Sequence, residues 1–292
     1  MENSKLAIIG TGNIGISIAD GLLDSGAFQP EQMILTRRKI QRLSRFSEQG
    51  VKTTSDNLEA IKTADIILIA VEPQQIDEIL TEIGPALKAD RHTLISVVTG
   101  VSIEQIQTHV SAGVAIVRAM PNTAISLRES ITCLASSHGS AAIEIGESIF
   151  NTVGETVVIE EELMGAATAL GACGIAFFLR AIRAASQGGI EIGFHSDKAL
   201  LIAAQVAKGA AELILKAGNH PESEIDKVTT PRGVTIAGLN QMEHEGFSSA
   251  MIKGIVTSAN KAGGVYKKDW LLCVSLRFSK CDLFIKVNPD QL

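Results

Sequence analysis

Residues 10–15 read Gly-Thr-Gly-Asn-Ile-Gly, and no other stretch constrains the fold as much. The run follows an apolar, β-branched segment at 5–9 and opens a helical pattern at 14–26. Between a strand and a helix, three glycines at that spacing have separate uses. The first permits a tight turn, the second lets the backbone approach a pyrophosphate, and the third lets helix and strand pack closely. The helix N-terminus then presents free N–H groups and a partial positive charge. Glycine-rich turns are common, so the run alone says little. In this βαβ context it points to dinucleotide binding by Gly10, Thr11, Gly12, Asn13, Ile14 and Gly15.

The first half of the chain alternates two patterns. Segments 5–9, 32–35, 65–71, 93–98 and 115–118 read as strands, and 14–26, 39–49, 57–63, 74–87 and 103–109 as helices. Such alternation implies βαβ units and a parallel sheet. The near-continuous apolar run 66–71 fits a central strand covered on both faces. From residue 160 to about 261 the composition is helical, with breaks at 193, 218–221, 231–233 and 246. We therefore expect an α/β, Rossmann-type parallel-sheet domain over 1–160, an all-α domain over 161–263, and an extension over 264–292. In that extension 270–278 is apolar and β-like.

The end of the second strand discriminates between coenzymes. A chain that binds NAD places a carboxylate there to hold the ribose 2′-hydroxyl. This chain reads Thr36-Arg37-Arg38-Lys39. Guanidinium groups grip a 2′-phosphate that a carboxylate would repel. Arg37 and Arg38 thus favour NADP, with NAD as the alternative; Lys39, Arg42 and Arg45 read as a solvated basic helix start.

Composition excludes other classes. A formal net charge of −6 leaves nucleic acid no electrostatic footprint. Cys133, Cys173, Cys273 and Cys281 form no CxxC pair, and they read as idle thiols of a reducing compartment. The six histidines, His92, His109, His138, His195, His220 and His244, lack ligand spacing and read as surface or loop residues, with no metal site. Ser136 and Ser137 have no base near them in sequence. The longest uncharged stretch, 163–179, is shorter than the ~20 residues a membrane span needs. No signal peptide is visible, so the expectation is a cytoplasmic protein without membrane or nucleic-acid partners.

A second informative segment runs from Val228 to Leu239, Val-Thr-Thr-Pro-Arg-Gly-Val-Thr-Ile-Ala-Gly-Leu. Pro231 and Gly233 make a rigid turn before a helix that places Ile236, Leu239 and Met242 on one face. Hydroxyls of Thr229, Thr230 and Thr235 cluster at its start. They suit either a helix cap or an anion site.

The residues 230–239 resemble the signature of pyrroline-5-carboxylate reductases. Arg118-Ala-Met-Pro-Asn-Thr123 is similar to that family's R-x-M-P-N-T segment, and Ala70-Val-Glu-Pro73 to its A-V-K-P turn. Thr168-Ala-Leu-Gly-Ala-Cys-Gly174 resembles the start of its long dimerisation helix, and Gln187-Gly-Gly189 the end. The likeness runs in order from about residue 5 to residue 261.

The resemblance implies an oxidoreductase of proline biosynthesis that transfers hydride from NADPH to the C=N carbon of a small cyclic imine. It implies that Gly233, Val234 and Thr235 hold the substrate carboxylate and that the catalytic Thr235 hydroxyl orients the ring nitrogen. Thr230, Glu161 and Thr168 would line the same pocket. Asn57, Ala70, Val71, Glu72, Pro73, Thr99, Met120 and Asn122 would meet the coenzyme. Several positions depart from the family. Glu72 stands where Lys is usual, Ile175 and Phe177 replace Pro and Tyr, Arg232 replaces a turn glycine, and Gly165 stands where an acidic residue is common.

Two other readings stay open on sequence. A β-hydroxyacid dehydrogenase shares the plan but needs a Lys and paired Asn on the long helix. Phe178-Leu-Arg-Ala-Ile-Arg183 offers neither. A non-catalytic dinucleotide-binding regulator would explain Glu72 and the unmatched tail. An uncharged run such as 165–179 needs more cover than about 100 helical residues offer. That predicts a homodimer or higher homo-oligomer, with the active site between the helical dimer core and the Rossmann domain.

Overall fold

The computed structural model describes residues 4–262. The expected extension at 264–292, with its β-like stretch, Cys273 and Cys281, lies outside the described residues.

The strands are β1 (Leu6–Ile9), β2 (Met33–Thr36), β3 (Lys52–Thr54), β4 (Ile66–Ile69), β5 (Thr93–Ser96), β6 (Ala115–Met120), β7 (Ser130–Ser136) and β8 (Gly154–Val158). They form one sheet in the order β3-β2-β1-β4-β5-β6-β7-β8. The pairs are parallel except β6 with β7. The fold is α/β with a Rossmann-type sheet, as expected. The antiparallel turn at β7 and the strands β3 and β8 were not among the expected elements.

Every residue of β1, β2 and β4 is buried, because helices cover both faces. Alternate side chains feed two cores. Leu6 and Ile8 pack with Ile18 and Leu22 of α1 (Asn13–Asp24), Phe46 of α2 (Ser44–Glu48) and Phe150 of α6 (Ser140–Phe150). Ala7 and Ile9 pack with Ile61 of α3 (Asn57–Thr63), Leu80 of α4 (Ile76–Ile83) and Ile106 of α5 (Ile103–Gln107). The expected single helix at 39–49 is a 3-10 turn, Ile40–Leu43, followed by α2.

Beyond β8 the chain is helical: α7 (Met164–Ala167), a π-helical segment Thr168–Cys173, α8 (Gly174–Glu191), α9 (Ser196–Ala217), α10 (Pro221–Lys227), α11 (Val234–His244) and α12 (Phe247–Ala262). Met164 packs with Met120 and Ala135 of the sheet. Past residue 174, Ala199 is the one buried apolar side chain among the described residues. Phe178, Leu201, Val206 and Leu215 are each more than half exposed. A fully buried Leu or Phe is worth roughly 2–3 kcal/mol. The sheet domain collects many such terms, whereas the helices hold almost none within a single chain.

Candidate active site

The coenzyme side is built at the C-terminal ends of the strands. β1 lies between β2 and β4, so the chain reverses its direction of winding there, and a crevice opens where sheets of this kind bind ligands. Gly10 has φ +87°, and a Cβ on it would stand 2.4 Å from Val71 Cγ1 and 3.0 Å from the Ala70 carbonyl oxygen. A Cβ on Gly15 would stand 2.8 Å from the Gly10 carbonyl oxygen. These two glycines answer to the protein itself. Gly12 does not: a Cβ there meets nothing within 4 Å. Gly12 is also the N-cap of α1, with no side-chain cap. The first N–H groups of the helix are thus left for an anion. That open cradle fits a pyrophosphate.

A relay of hydrogen bonds fixes the loop to β2. Thr11 N and Thr11 Oγ1 donate to the Thr36 carbonyl oxygen at 3.0 and 2.7 Å. Thr36 Oγ1 donates to Asn57 Oδ1 at 2.8 Å, and Asn57 Nδ2 donates to Glu82 Oε2 at 2.9 Å. Arg37 Nη1 donates to the Thr11 carbonyl oxygen, which holds its guanidinium beside the loop. Arg38 next to it is exposed. Ala70, Val71, Glu72 and Pro73 follow β4, and Glu72 is exposed there at the start of a 3-10 turn. Thr99 follows β5.

The junction with the helices is built from β6. Asn122 is buried; its Oδ1 accepts from Ala124 N and its Nδ2 donates to the Gly171 carbonyl oxygen at 3.3 Å, within the π-helical segment. Thr168 is buried and donates its hydroxyl to the Met164 carbonyl oxygen at 2.9 Å. Arg118, 6% exposed, pairs through Nη1 with Glu161 Oε1 at 2.8 Å, and Ile103 N donates to the same oxygen at 3.1 Å. Glu161 Oε2 is buried without a partner. In the sequence Arg118 reads as a motif residue and Glu161 as a pocket residue, and nothing there joins the two. An arginine inside the apolar run Ala115–Met120 is the signal that could have found their bond, since a buried charge needs a partner.

The substrate corner differs from expectation in detail. Gly233 is the N-cap of α11, and no side chain caps it. Thr229 Oγ1 instead donates back to the Asp226 carbonyl oxygen. The turn closes through Gly233 N donating to the Thr230 carbonyl oxygen at 2.8 Å. A Cβ on Gly233 would meet Thr230 Oγ1 at 2.5 Å, so the hydroxyl sits against the turn. Arg232 is held at φ +60°. α11 packs on α12, and Val234 is 90% exposed. Among the described residues, no hydrogen bond or ion pair joins 229–235 to the nucleotide-binding sheet. One chain therefore brings the glycine loop, Arg37, Asn57 and residues 70–73 together at one end of the sheet, but leaves Thr230 and Val234 exposed and Gly233 and Thr235 half-buried, away from that end.

One further expectation changes. His92 is 4% exposed rather than superficial. Its Nδ1 accepts from Lys88 N, so Nε2 carries the proton, and Nε2 is buried without a partner. Cys133 lies half-buried at the junction, in line with the reading of an idle thiol, and burial pushes its thiol pKa up. Among the described residues no group of His, Cys, Asp and Glu side chains is placed to hold a metal.

Residues 5–100 match the family model for NADP oxidoreductases described as coenzyme F420-dependent, and 161–265 match the model for pyrroline-5-carboxylate reductase dimerisation. Pyrroline-5-carboxylate reductase 2 of Dictyostelium discoideum is 50% identical over 278 residues, covering 89% of this chain and 93% of that one. The chain belongs to the pyrroline-5-carboxylate reductase family. Pyrroline-5-carboxylate reductase 1 of the same organism is 51% identical over 279 residues, but there this family member spans 91% of its own length and only 50% of its relative's. The crystal structure of Plasmodium falciparum pyrroline carboxylate reductase with NADP bound is 26% identical. It superposes with a TM-score of 0.82, covering 90% of this chain and 98% of that one.

Proposed function

We propose that the protein reduces 1-pyrroline-5-carboxylate to L-proline with NADPH, the last step of proline biosynthesis. The observation that carries this reading is the open cradle at Gly12, set in a chain half identical to a curated reductase over nearly its whole length. The nucleotide part is 1–160 and the dimerisation and substrate part 161–263. Gly10 to Gly15, with the N-terminus of α1, hold the pyrophosphate. Arg37 and Arg38 hold the 2′-phosphate, and Asn57, residues 70–73, Thr99, Met120 and Asn122 border the remainder. When bound, the reduced nicotinamide supplies the hydride for the C=N carbon.

The chain's own task is then small. A protonated imine is already electrophilic, so the site needs orientation and an anion clamp more than a strong base. The N–H groups at the start of α11, from Gly233 to Thr235, bind the carboxylate, and the Thr235 hydroxyl orients the ring nitrogen without titrating.

We place the complete site between two copies. The exposed Phe178, Leu201 and Leu215 need cover, and an apolar cavity of about 310 Å³ opens between α8 and α12, lined by Phe177, Ala181, Phe247 and Met251. None of those residues belongs to the coenzyme crevice. The helical run Glu161–Glu191 is long and apolar enough to cross a membrane by length and composition. The match of 161–265 to a dimerisation model favours a partner helix over lipid, and so a homodimer. A crystal structure with NADPH and proline tests the arrangement. The 230–235 corner of a second copy should face the nicotinamide; a corner remote from every glycine loop would overturn it.

A further inference from the structure

Arg118 and Glu161 are joined across the boundary between the sheet and the helices. Arg118 lies on β6, two residues before Met120, in register with Ser96 of β5, which is three residues before Thr99. Glu161 opens the first 3-10 turn of the helical part. Its Oε1 accepts from both the Arg118 guanidinium and the Ile103 amide, so one oxygen binds β6, α5 and the helices together. The side chains are 8% and 29% exposed, so solvent screens the pair little.

Stability alone does not explain this arrangement. A carboxylate that neutralises an arginine frequently takes the guanidinium two-pronged. Here Oε2 is buried with no partner, a cost that folds seldom retain away from functional sites. An apolar pair of the same volume is commonly no less stable than a buried ion pair.

We propose that the Arg118–Glu161 pair is an interdomain clasp that sets the height of the helices over the coenzyme crevice, making Arg118 a positioning residue for hydride transfer. The inference rests on the reductase reading. The clasp acts at the seam where β5 and β6 end, away from the glycine loop at β1. It lies beside Thr99 and Met120 but far from the pyrophosphate loop, so it should govern reaction geometry much more than coenzyme affinity. Displacement of about 1 Å between reacting groups costs on the order of 100-fold in rate.

The test compares wild type, Arg118→Met, Glu161→Gln and the double variant Arg118→Met/Glu161→Leu by melting temperature, NADPH affinity, and kcat and KM for pyrroline-5-carboxylate. Arg118→Met should melt lower, because it strands a half-buried carboxylate, and should lose about 100-fold in kcat with a far smaller change in NADPH affinity. Glu161→Gln keeps an acceptor for both donors and should lose less. In the double variant the melting temperature should return to the wild-type value while kcat stays low. Recovery of kcat together with stability would make the pair merely structural and overturn the proposal, as would an Arg118→Met enzyme of wild-type kcat. If wild type binds NADPH without turnover, the reductase reading fails. The clasp is then judged by hydrogen exchange of the double variant. Faster exchange at both 103–107 and 161–173 supports it, and unchanged exchange overturns it.

Discussion

A Cβ on Gly10 would stand 2.4 Å from Val71 Cγ1, whereas a Cβ on Gly12, two residues on, would touch nothing. The fold therefore demands a glycine at position 10 but makes no such demand at position 12. Gly10→Ala adds a clash with β4's end to a left-handed φ that costs about 1–2 kcal/mol by itself. It should lower the melting temperature clearly. Gly12→Ala should melt like wild type yet lose NADPH binding by calorimetry. Equal destabilisation by both substitutions would show that Gly12 is structural.

The buried His92 should impose a pH dependence on stability. Burial is the main cause that lowers its pKa, with Arg91 and Lys88 adding to it and Asp65 and Asp90 opposing. The folded protein thus keeps His92 neutral where the unfolded chain takes a proton, near the ordinary value of about 6.5. The sign follows: the contribution is fully present above the unfolded value and is lost as pH falls through the lowered folded value. His92→Gln should flatten the drop in melting temperature between about pH 7.5 and pH 5 relative to wild type. Parallel curves for the two proteins would exclude His92 as the source.

Arg232 offers a substitution with opposite effects on fold and function. Its φ of +60° suits glycine better than arginine. Arg232→Gly should relieve roughly 0.5–1 kcal/mol of strain in an otherwise solvated turn. If the side chain also serves the carboxylate site, the same variant should raise KM for pyrroline-5-carboxylate. A denaturant titration and a KM measurement check the two halves separately. A less stable variant would contradict the strain argument.

The coenzyme half was legible because its physics is local. The glycine run, the apolar β1 and β4 and the basic end of β2 each declare themselves within ten residues. β7 and β8 were not legible. β7 buries Ser130 and Thr132 where an apolar alternation would be expected, and β8 is a sheet edge with Val157 and Val158 exposed. Neither shows a clean periodicity. His92 looks like any loop histidine until its burial is known. The threonines near α11 satisfy the composition of a cap, but Gly233 occupies the cap position. The 230–235 corner is legible by its residues, but its placement depends on cover that the helices do not find within one chain.

The most direct measurement follows NADPH oxidation and product formation when the purified protein meets pyrroline-5-carboxylate. One L-proline should form for each NADPH consumed, and Thr235→Ala should slow the reaction by about tenfold, the worth of one hydrogen bond. NADPH binding with no oxidation, or oxidation that leaves no proline, would contradict the assignment.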